Sequence, residues 1–236
     1  MNLLQEDNTI KQYYEDIAFN YDRSRFANSY GQYIDSQERL ILSDWLPSYD
    51  HSILDLACGT GRFLDFATTG LDASKNMITV AQKKYPNKQL IEASATSIPL
   101  PNESYDAVFT LHLFMHLTPE TINTIIDECV GAARRRHRIL RPGGMLIFDI
   151  PSAFRRKLLR YKPENWHGAT SFFIQDIKNL SNSQKWQLAD LKGIAFCPVH
   201  RLPSSMRPLF IPIDNFLCRS FCRVFSSYYM VKLIKQ

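Results

Sequence analysis

Residues 53–61 read ILDLACGTG, and residues 71–74 read LDAS. An apolar run suited to a buried strand ends on a loop with two glycines. A second run ends on a carboxylate, Asp72, eleven residues past Gly61. Glycine carries no Cβ, so such a loop lets backbone approach a ligand closely. In open parallel sheets, ligands lie in the crevice at the carboxyl ends of the strands. The stretch therefore predicts a site for a nucleotide-like cofactor.

A dinucleotide loop needs G-x-G-x-x-G, with an acidic residue about 20 positions further on for the ribose. Gly59 and Gly61 fill the first two places, but the third is Leu64, and Asp72 comes too early. Asp55, at the end of the strand, would place a negative charge beside a pyrophosphate. Two carboxylates suit a cationic cofactor with a diol better.

Outward from the loop, short apolar runs alternate with helical stretches. HSILDLA, the end of TTGLDA, KQLIEAS, YDAVFTLHL and MLIFDI read as strands. Residues 76–85 read as a helix capped by Ser74. Residues 119–139 read as a long helix with Pro119 near its start, and RPGG reads as a turn. RFLDFATTG leaves room for a helix of about two turns. Residues 9–27 and 31–46 look helical, the second with Ile34, Leu40, Ile41 and Trp45 inward and Pro47 ending it. Beyond 151 come a helix at 170–180, a strand or hairpin at WQLADLKGIAF, a proline-rich stretch and a final strand, SSYYMVKLIK. The alternation predicts an α/β fold: a mostly parallel sheet, helices on both faces, and an antiparallel closing strand, with residues 198–225 inserted before it.

The 236 residues allow one domain, read as an N-terminal helical lid (1–46), a cofactor-binding core (47–150), and a substrate cap with closing strands (151–236). The net charge of +5 is modest, but residues 134–162 hold ten Lys or Arg (134, 135, 136, 138, 141, 155, 156, 157, 160, 162) against one acid, Asp149. Five cysteines, an odd and sparse set, fit reduced thiols and a cytoplasmic location. Cys218 and Cys222 are too few for a metal site, and none is expected. The acidic, amphipathic N-terminus lacks the order of a signal peptide. No uncharged apolar run reaches the roughly 18 residues of a membrane span.

Five stretches occur in order: YYEDIAFNYDRSR, LDLACGTG, LDASKNM, SIPLPNESYDAVFTLHLFMHL and RILRPGGMLIFD. Together they resemble the class I S-adenosylmethionine-dependent methyltransferases of the broad small-molecule group, over most of the chain. The resemblance implies a Rossmann-like, seven-stranded sheet with an α-helical cap, and S-adenosylmethionine as cofactor. It implies that Ala57, Gly59 and Gly61 line the loop under the methionine part, with Asp55 supporting the loop and the cofactor's amino group. Asp72 would bind both ribose hydroxyls, with Ala73 beside it, which needs an ionised acceptor with two oxygens. Ser94 and Ala95 would meet the adenine, Leu111 and His112 the reacting methyl, and Tyr14, Tyr21 and Arg25 would close over the cofactor. Three departures stand out. Ala57 replaces the first glycine. Ser94 replaces the usual acid, leaving Glu92 as an alternative adenine contact. Residues 131–137, GAARRRH, interrupt the usual join, as a solvated helix extension, a docking patch or a looped insertion.

Methyl transfer needs alignment above all, and a base only when the nucleophile carries a proton of high pKa. His112 is the candidate base, against the alternative that it packs or orients substrate. His116 reads as packing beneath the sheet. His167 and His200 lie where substrate determinants are expected, and Tyr13 and Trp166 read as packing or lid residues. The expected partner is a small apolar or aromatic acceptor capped by residues 151–175 and 198–225. The competing readings are a nucleic-acid methyltransferase using the 134–162 patch, and a non-catalytic cofactor-binding protein. The first lacks D/N-P-P-[YFW] and Pro-Cys motifs. RPLFIPIDNFLCRSFCRVF mixes apolar residues with arginines, so it reads as either a cover for the acceptor or a peripheral membrane contact.

Overall fold

The computed structural model describes residues 3–47, 51–130, 139–163, 165–181 and 186–236. Its elements run α1 (Leu3–Ile17), a 3-10 turn (Ala18–Asn20), α2 (Tyr21–Phe26), α3 (Ser29–Trp45), β1 (Ile53–Leu56), β2 (Thr69–Asp72), α4 (Lys75–Lys84), β3 (Gln89–Glu92), β4 (Tyr105–Thr110), α5 (Pro119–Val130), β5 (Leu140–Pro151), α6 (Ala153–Leu158), α7 (Ile174–Ser181), β6 (Trp186–Ile194), α8 (Arg207–Arg219) and β7 (Tyr228–Lys235). The seven strands lie in the order β3-β2-β1-β4-β5-β7-β6. Only β7 runs antiparallel to its neighbours. The expected fold class is therefore the observed one.

Strand alternation assigns the two faces of the sheet. Leu54, Leu56, Val108, Leu146 and Phe148 pack with Ile122 and Ile125 of α5. Ile53, Ala107, Phe109 and Ile147 pack with Ile34, Ile41 and Trp45 of α3. Asp55 and Asp149 share the odd-numbered register of this second set, so both belong to the face that α3 covers.

Several expectations change. The segment after the glycine loop is a run of i→i−3 turns (Gly61 N–H to Cys58 O, Phe66 N–H to Phe63 O) and never becomes a helix. RPGG is a bulge inside β5: Tyr105 pairs with Leu140, but Ala107 pairs with Met145, so the extra residues loop out at Gly143, φ 75°. In α3, Leu40 is 44% exposed, while Gln37 and Glu38 are buried. α3 is largely a layer of the core, whereas α1, α2 and the turn between them contribute Tyr14 and Tyr21 over the sheet's carboxyl edge. The 131–137 insertion, with its arginines, lies outside the described residues. Within the described part of the basic patch, Arg141 pairs with Asp106, and Arg155 and Arg156 donate to backbone carbonyls of Phe196, Phe225, Gly168 and Thr170. No described helix is long and apolar enough to cross a membrane.

Candidate active site

The carboxyl ends of β1, β2, β3 and β4 open into a cleft of about 370 Å³, within the usual range for ligand sites. Tyr14, Tyr21, Ala57, Gly59, Asp72, Ala73, Ser94, Ala95, Leu111 and His112 line it. Gly59, φ 54°, faces open space: a Cβ there would meet nothing within 4 Å. Ala57 holds φ 61°, a left-handed conformation that costs a non-glycine residue about 1–2 kcal/mol.

Asp72 fixes the loop. Its Oδ2 accepts the Gly59 N–H at 2.8 Å and its Oδ1 accepts the Ser74 N–H at 2.8 Å. Each carboxylate oxygen has a second lone pair, so both keep capacity for a diol. Burial pushes the Asp72 carboxyl up to about 6, against the two backbone hydrogen bonds. Ser74 caps α4 by accepting the Met77 N–H at 3.1 Å. Glu15 of α1 caps the same helix from outside, accepting the Lys75 and Asn76 N–H groups at 2.8 and 2.9 Å. Asp22 accepts the Thr60 hydroxyl at 2.6 Å and pairs with Lys84. These contacts pin the N-terminal helices over the cleft.

A second cleft, of about 250 Å³, adjoins the first and shares Tyr14, Tyr21 and His112 with it. Arg25, Tyr30, Met115, His116, His167 and Tyr228 complete much of its wall. At the junction His112 holds φ 62° and donates its N–H to Asp149 Oδ1 at 2.6 Å. Its Nε2 lies 2.7 Å from Glu38 Oε1, a close charge pair rather than an aligned hydrogen bond. Its Nδ1 is 3.9 Å from Asp149 Oδ2. Burial alone would lower the His112 pKa, but the facing carboxylates of Glu38 and Asp149 raise it overall. Arg62 completes the cluster, 2.8 Å from Glu38 Oε2 and held between the Phe26 and Phe63 rings at 4.0 Å from each. Ligating atoms of Glu38, His112 and Asp149 lie within 4.8 Å of one another, close enough for a cation, but Arg62 already supplies that charge.

His116 forms a second relay. Its Nδ1 accepts the Gly168 N–H at 3.0 Å and its Nε2 lies 3.0 Å from Tyr14 Oη. Burial pushes its pKa down to about 3, so the ring is neutral. Because Nδ1 accepts, the proton sits on Nε2 and is given to the Tyr14 oxygen. Tyr14 therefore keeps its own hydroxyl hydrogen for a partner at the junction of the clefts.

Comparison with known proteins agrees with this geometry. A family described as "Methyltransferase domain" matches residues 54–148. Residues 54–148 thus carry a methyltransferase domain, consistent with a class I S-adenosylmethionine-dependent methyltransferase. It is 26% identical over 160 residues to a ubiquinone/menaquinone biosynthesis C-methyltransferase of Campylobacter jejuni, which covers 61% of this chain and 64% of that one. Its fold matches a methyltransferase of Thermotoga maritima described as a possible histamine N-methyltransferase, with TM-score 0.70, 18% identity, and coverage of 96% and 99%. It also matches magnesium protoporphyrin IX methyltransferase from Synechocystis with S-adenosylhomocysteine bound, with TM-score 0.60, 16% identity, and coverage of 98% and 100%.

The cofactor of this methyltransferase is S-adenosylmethionine, and its residues fit that molecule. The open face of Gly59 admits a ligand against the backbone. Asp55 Oδ2 is buried with no hydrogen-bond donor among the described residues, and burial holds its pKa well above the usual carboxylate range. Asp55 lines neither cleft, so this carboxyl backs the loop from behind.

Not every predicted residue reaches the first cleft. Gly61 lines neither cleft: a Cβ there would lie 2.8 Å from Leu64 Cδ1 and 3.3 Å from Ala81 Cβ, so its glycine serves the packing of α4. Arg25 lines the second cleft and donates to Tyr13 Oη at 2.7 Å. Asp55 lies behind the loop. The Ser94 hydroxyl pairs with Thr96 Oγ1 at 2.8 Å, while Glu92 also lines the cleft. His167 lines the second cleft, whereas His200 packs on Tyr30 at 4.8 Å between ring centroids. His116, expected to pack beneath the sheet, lines the second cleft. Residues 198–225 line neither cleft. Glu38, Arg62 and Asp149 were absent from the expected site. Glu38 had one sequence signal, its place on the same helical face as Ile34, Ile41 and Trp45.

Proposed function

We propose that this methyltransferase methylates a small, ring-bearing acceptor held in the second cleft, with His112 taking the acceptor's proton. The observation that carries the reading is the junction: a cofactor cleft and a tyrosine-lined cleft meet at an imidazole backed by two carboxylates. When bound, the cofactor supplies an electrophilic methyl on a sulfonium. The chain's part is to align the acceptor, exclude water and remove a proton. An acceptor lone pair forms the new bond to the methyl carbon, and the C–S electron pair stays on sulfur. The acceptor's proton passes to Nδ1 of His112, while Nε2–H faces Glu38. Tyr14, oriented by His116, donates its hydroxyl to acceptor or cofactor and keeps the two reactants in register.

Tyr14, Tyr21, Tyr30 and Tyr228 give the second cleft an aromatic, weakly polar wall. The names of the Campylobacter and Synechocystis proteins refer to a quinone and a porphyrin, both conjugated ring compounds. A space of about 250 Å³ lies just below the usual range of ligand sites, which favours a one- or two-ring head group over a tetrapyrrole. The test has two steps. Calorimetry should show binding of S-adenosylmethionine and its demethylated product. Radiolabelled cofactor should then label reduced quinones or other hydroxylated aromatics, and not RNA or protein, in a cell extract. Label entering only macromolecules would overturn the reading.

A further inference from the structure

We propose that α8 and the 3-10 turn after it form a docking surface for an anionic lipid bilayer. The inference does not depend on the acceptor reading above. It starts from the way α8 is mounted. The helix turns polar groups inward: Asp214, fully buried, accepts from Tyr33 Oη, from Gln37 Nε2 at 2.8 Å and from the Cys197 N–H. Cys218, one turn on, is also buried. The outward face is apolar. Leu209, Ile213 and Phe216 are 68%, 48% and 71% exposed, and their spacing of four and three places them in one stripe. Met206 precedes the stripe, and Phe221, 88% exposed, follows it. Single exposed apolar side chains are ordinary, but a continuous stripe of large ones marks a surface with an occupant.

Charge identifies the occupant. Between residues 198 and 227 the only acid is Asp214, which is buried, while Arg201, Arg207, Arg219 and Arg223 are all present. The neighbouring segment repeats the composition. Residues 157–162 read KLLRYK, with Leu158, Leu159 and Tyr161 each more than half exposed. The turn Phe221–Phe225 joins the two regions, with the Phe225 ring 5.3 Å from Phe154 of α6. Apolar side chains interleaved with arginines and lysines are the composition of a helix that lies in a lipid interface. A second copy of the chain would set cations against cations. At 13 residues α8 is too short to cross a bilayer, so it would lie flat.

The test is sedimentation of the full chain with vesicles of phosphatidylcholine alone, and of phosphatidylcholine with an equal part of phosphatidylglycerol. The expected result is retention by the mixed vesicles, at least tenfold above the neutral ones, that weakens with salt. The double variants Phe216→Glu with Phe221→Glu, and Arg201→Glu with Arg219→Glu, should each lose roughly tenfold or more of that retention. Unchanged thermal unfolding and unchanged cofactor binding would show that both remain folded. No retention of the wild type, equal retention on neutral vesicles, or full retention of the phenylalanine variant would each overturn the proposal. So would a dimer in ultracentrifugation that the same phenylalanine changes abolish without any vesicle binding.

Discussion

The two clefts that meet at His112 are built in opposite ways. The first takes most of its lining from the carboxyl ends of neighbouring strands: 57–59, 71–77, 92–96 and 111–117, with α1 laid over the top. Each run sits where its strand stops, so the sheet's topology assembles the site. The second draws residues 14–34, 112–116, 167 and 228 from distant parts of the chain. No strand order dictates that set. It exists because α3 packs on the sheet with Gln37 and Glu38 inward, bringing Tyr30, Gly31 and Ile34 to the junction. The first cleft comes with the fold, and the second has to be added to it.

The sharpest way to separate the clefts is His112→Ala. Removing a general base should lower kcat by roughly 10²–10⁴-fold, while calorimetry shows cofactor affinity within a few-fold of wild type. Equal loss of both would merge the two sites into one. Asp72→Ala makes the opposite cut. Losing charge-assisted hydrogen bonds to a diol should weaken cofactor binding by roughly a hundredfold or more, read by titration calorimetry.

Glu38→Gln tests the positioning of His112. Glu38 helps hold the His112 pKa above its ordinary value, so the neutral base appears only as pH rises through that raised pKa. With glutamine there, the rising limb of kcat/KM should move to lower pH, with a roughly tenfold or greater loss at its plateau. The protein should also lose the part of its stability that the imidazolium contributes. That part is full below the unfolded histidine pKa and fades as pH rises through the folded one. A fall in rate with an unmoved pH profile would make Glu38 merely structural.

Asp72 gives two trends of opposite sign. Its carboxyl is pushed up to about 6 by burial, so the cofactor-free protein loses some stability as pH rises from the ordinary carboxylate pKa to about 6. Cofactor affinity should do the reverse and fall as pH drops through about 6, because the diol needs an ionised acceptor. Calorimetric titrations across that window, alongside thermal unfolding of the free protein, check both signs. The smallest effect is expected at Ala57→Gly. Relieving a left-handed alanine offsets glycine's larger unfolded-state freedom, so unfolding should shift by no more than about 1 kcal/mol, measured by denaturant titration.

Much of the first cleft was legible from Ile53 to Ser74, because local pattern carries it. Apolar strands, glycines and the Ser74 cap act over a few residues, and the parallel alternation then fixes where strand ends meet. Gly61 lines neither cleft: its glycine answers to its left-handed backbone and to Leu64 and Ala81, and nothing in a linear motif separates a packing glycine from a ligand glycine. Leu40, expected inward, lies outward while Glu38 is buried, because α3 is held by charge as well as by apolar burial. Arg62 and His112 for Glu38, the Ala195 N–H for Gln37 and the Cys197 N–H for Asp214 become partners only once the chain is folded. The same long-range network turned α8 over, so a segment read as a cover for the acceptor lines neither cleft.

The sequence by itself determined the sheet and the glycine loop, since these follow from periodicity and from chemistry at adjacent positions, and its resemblance to a known family supplied the methyl donor. The tertiary structure alone decided which histidine is backed by carboxylates, which residues wall the second cleft and which face of α8 meets solvent. Those depend on contacts between residues 37 to 181 positions apart, and a buried charge is stable only where the fold delivers its partner.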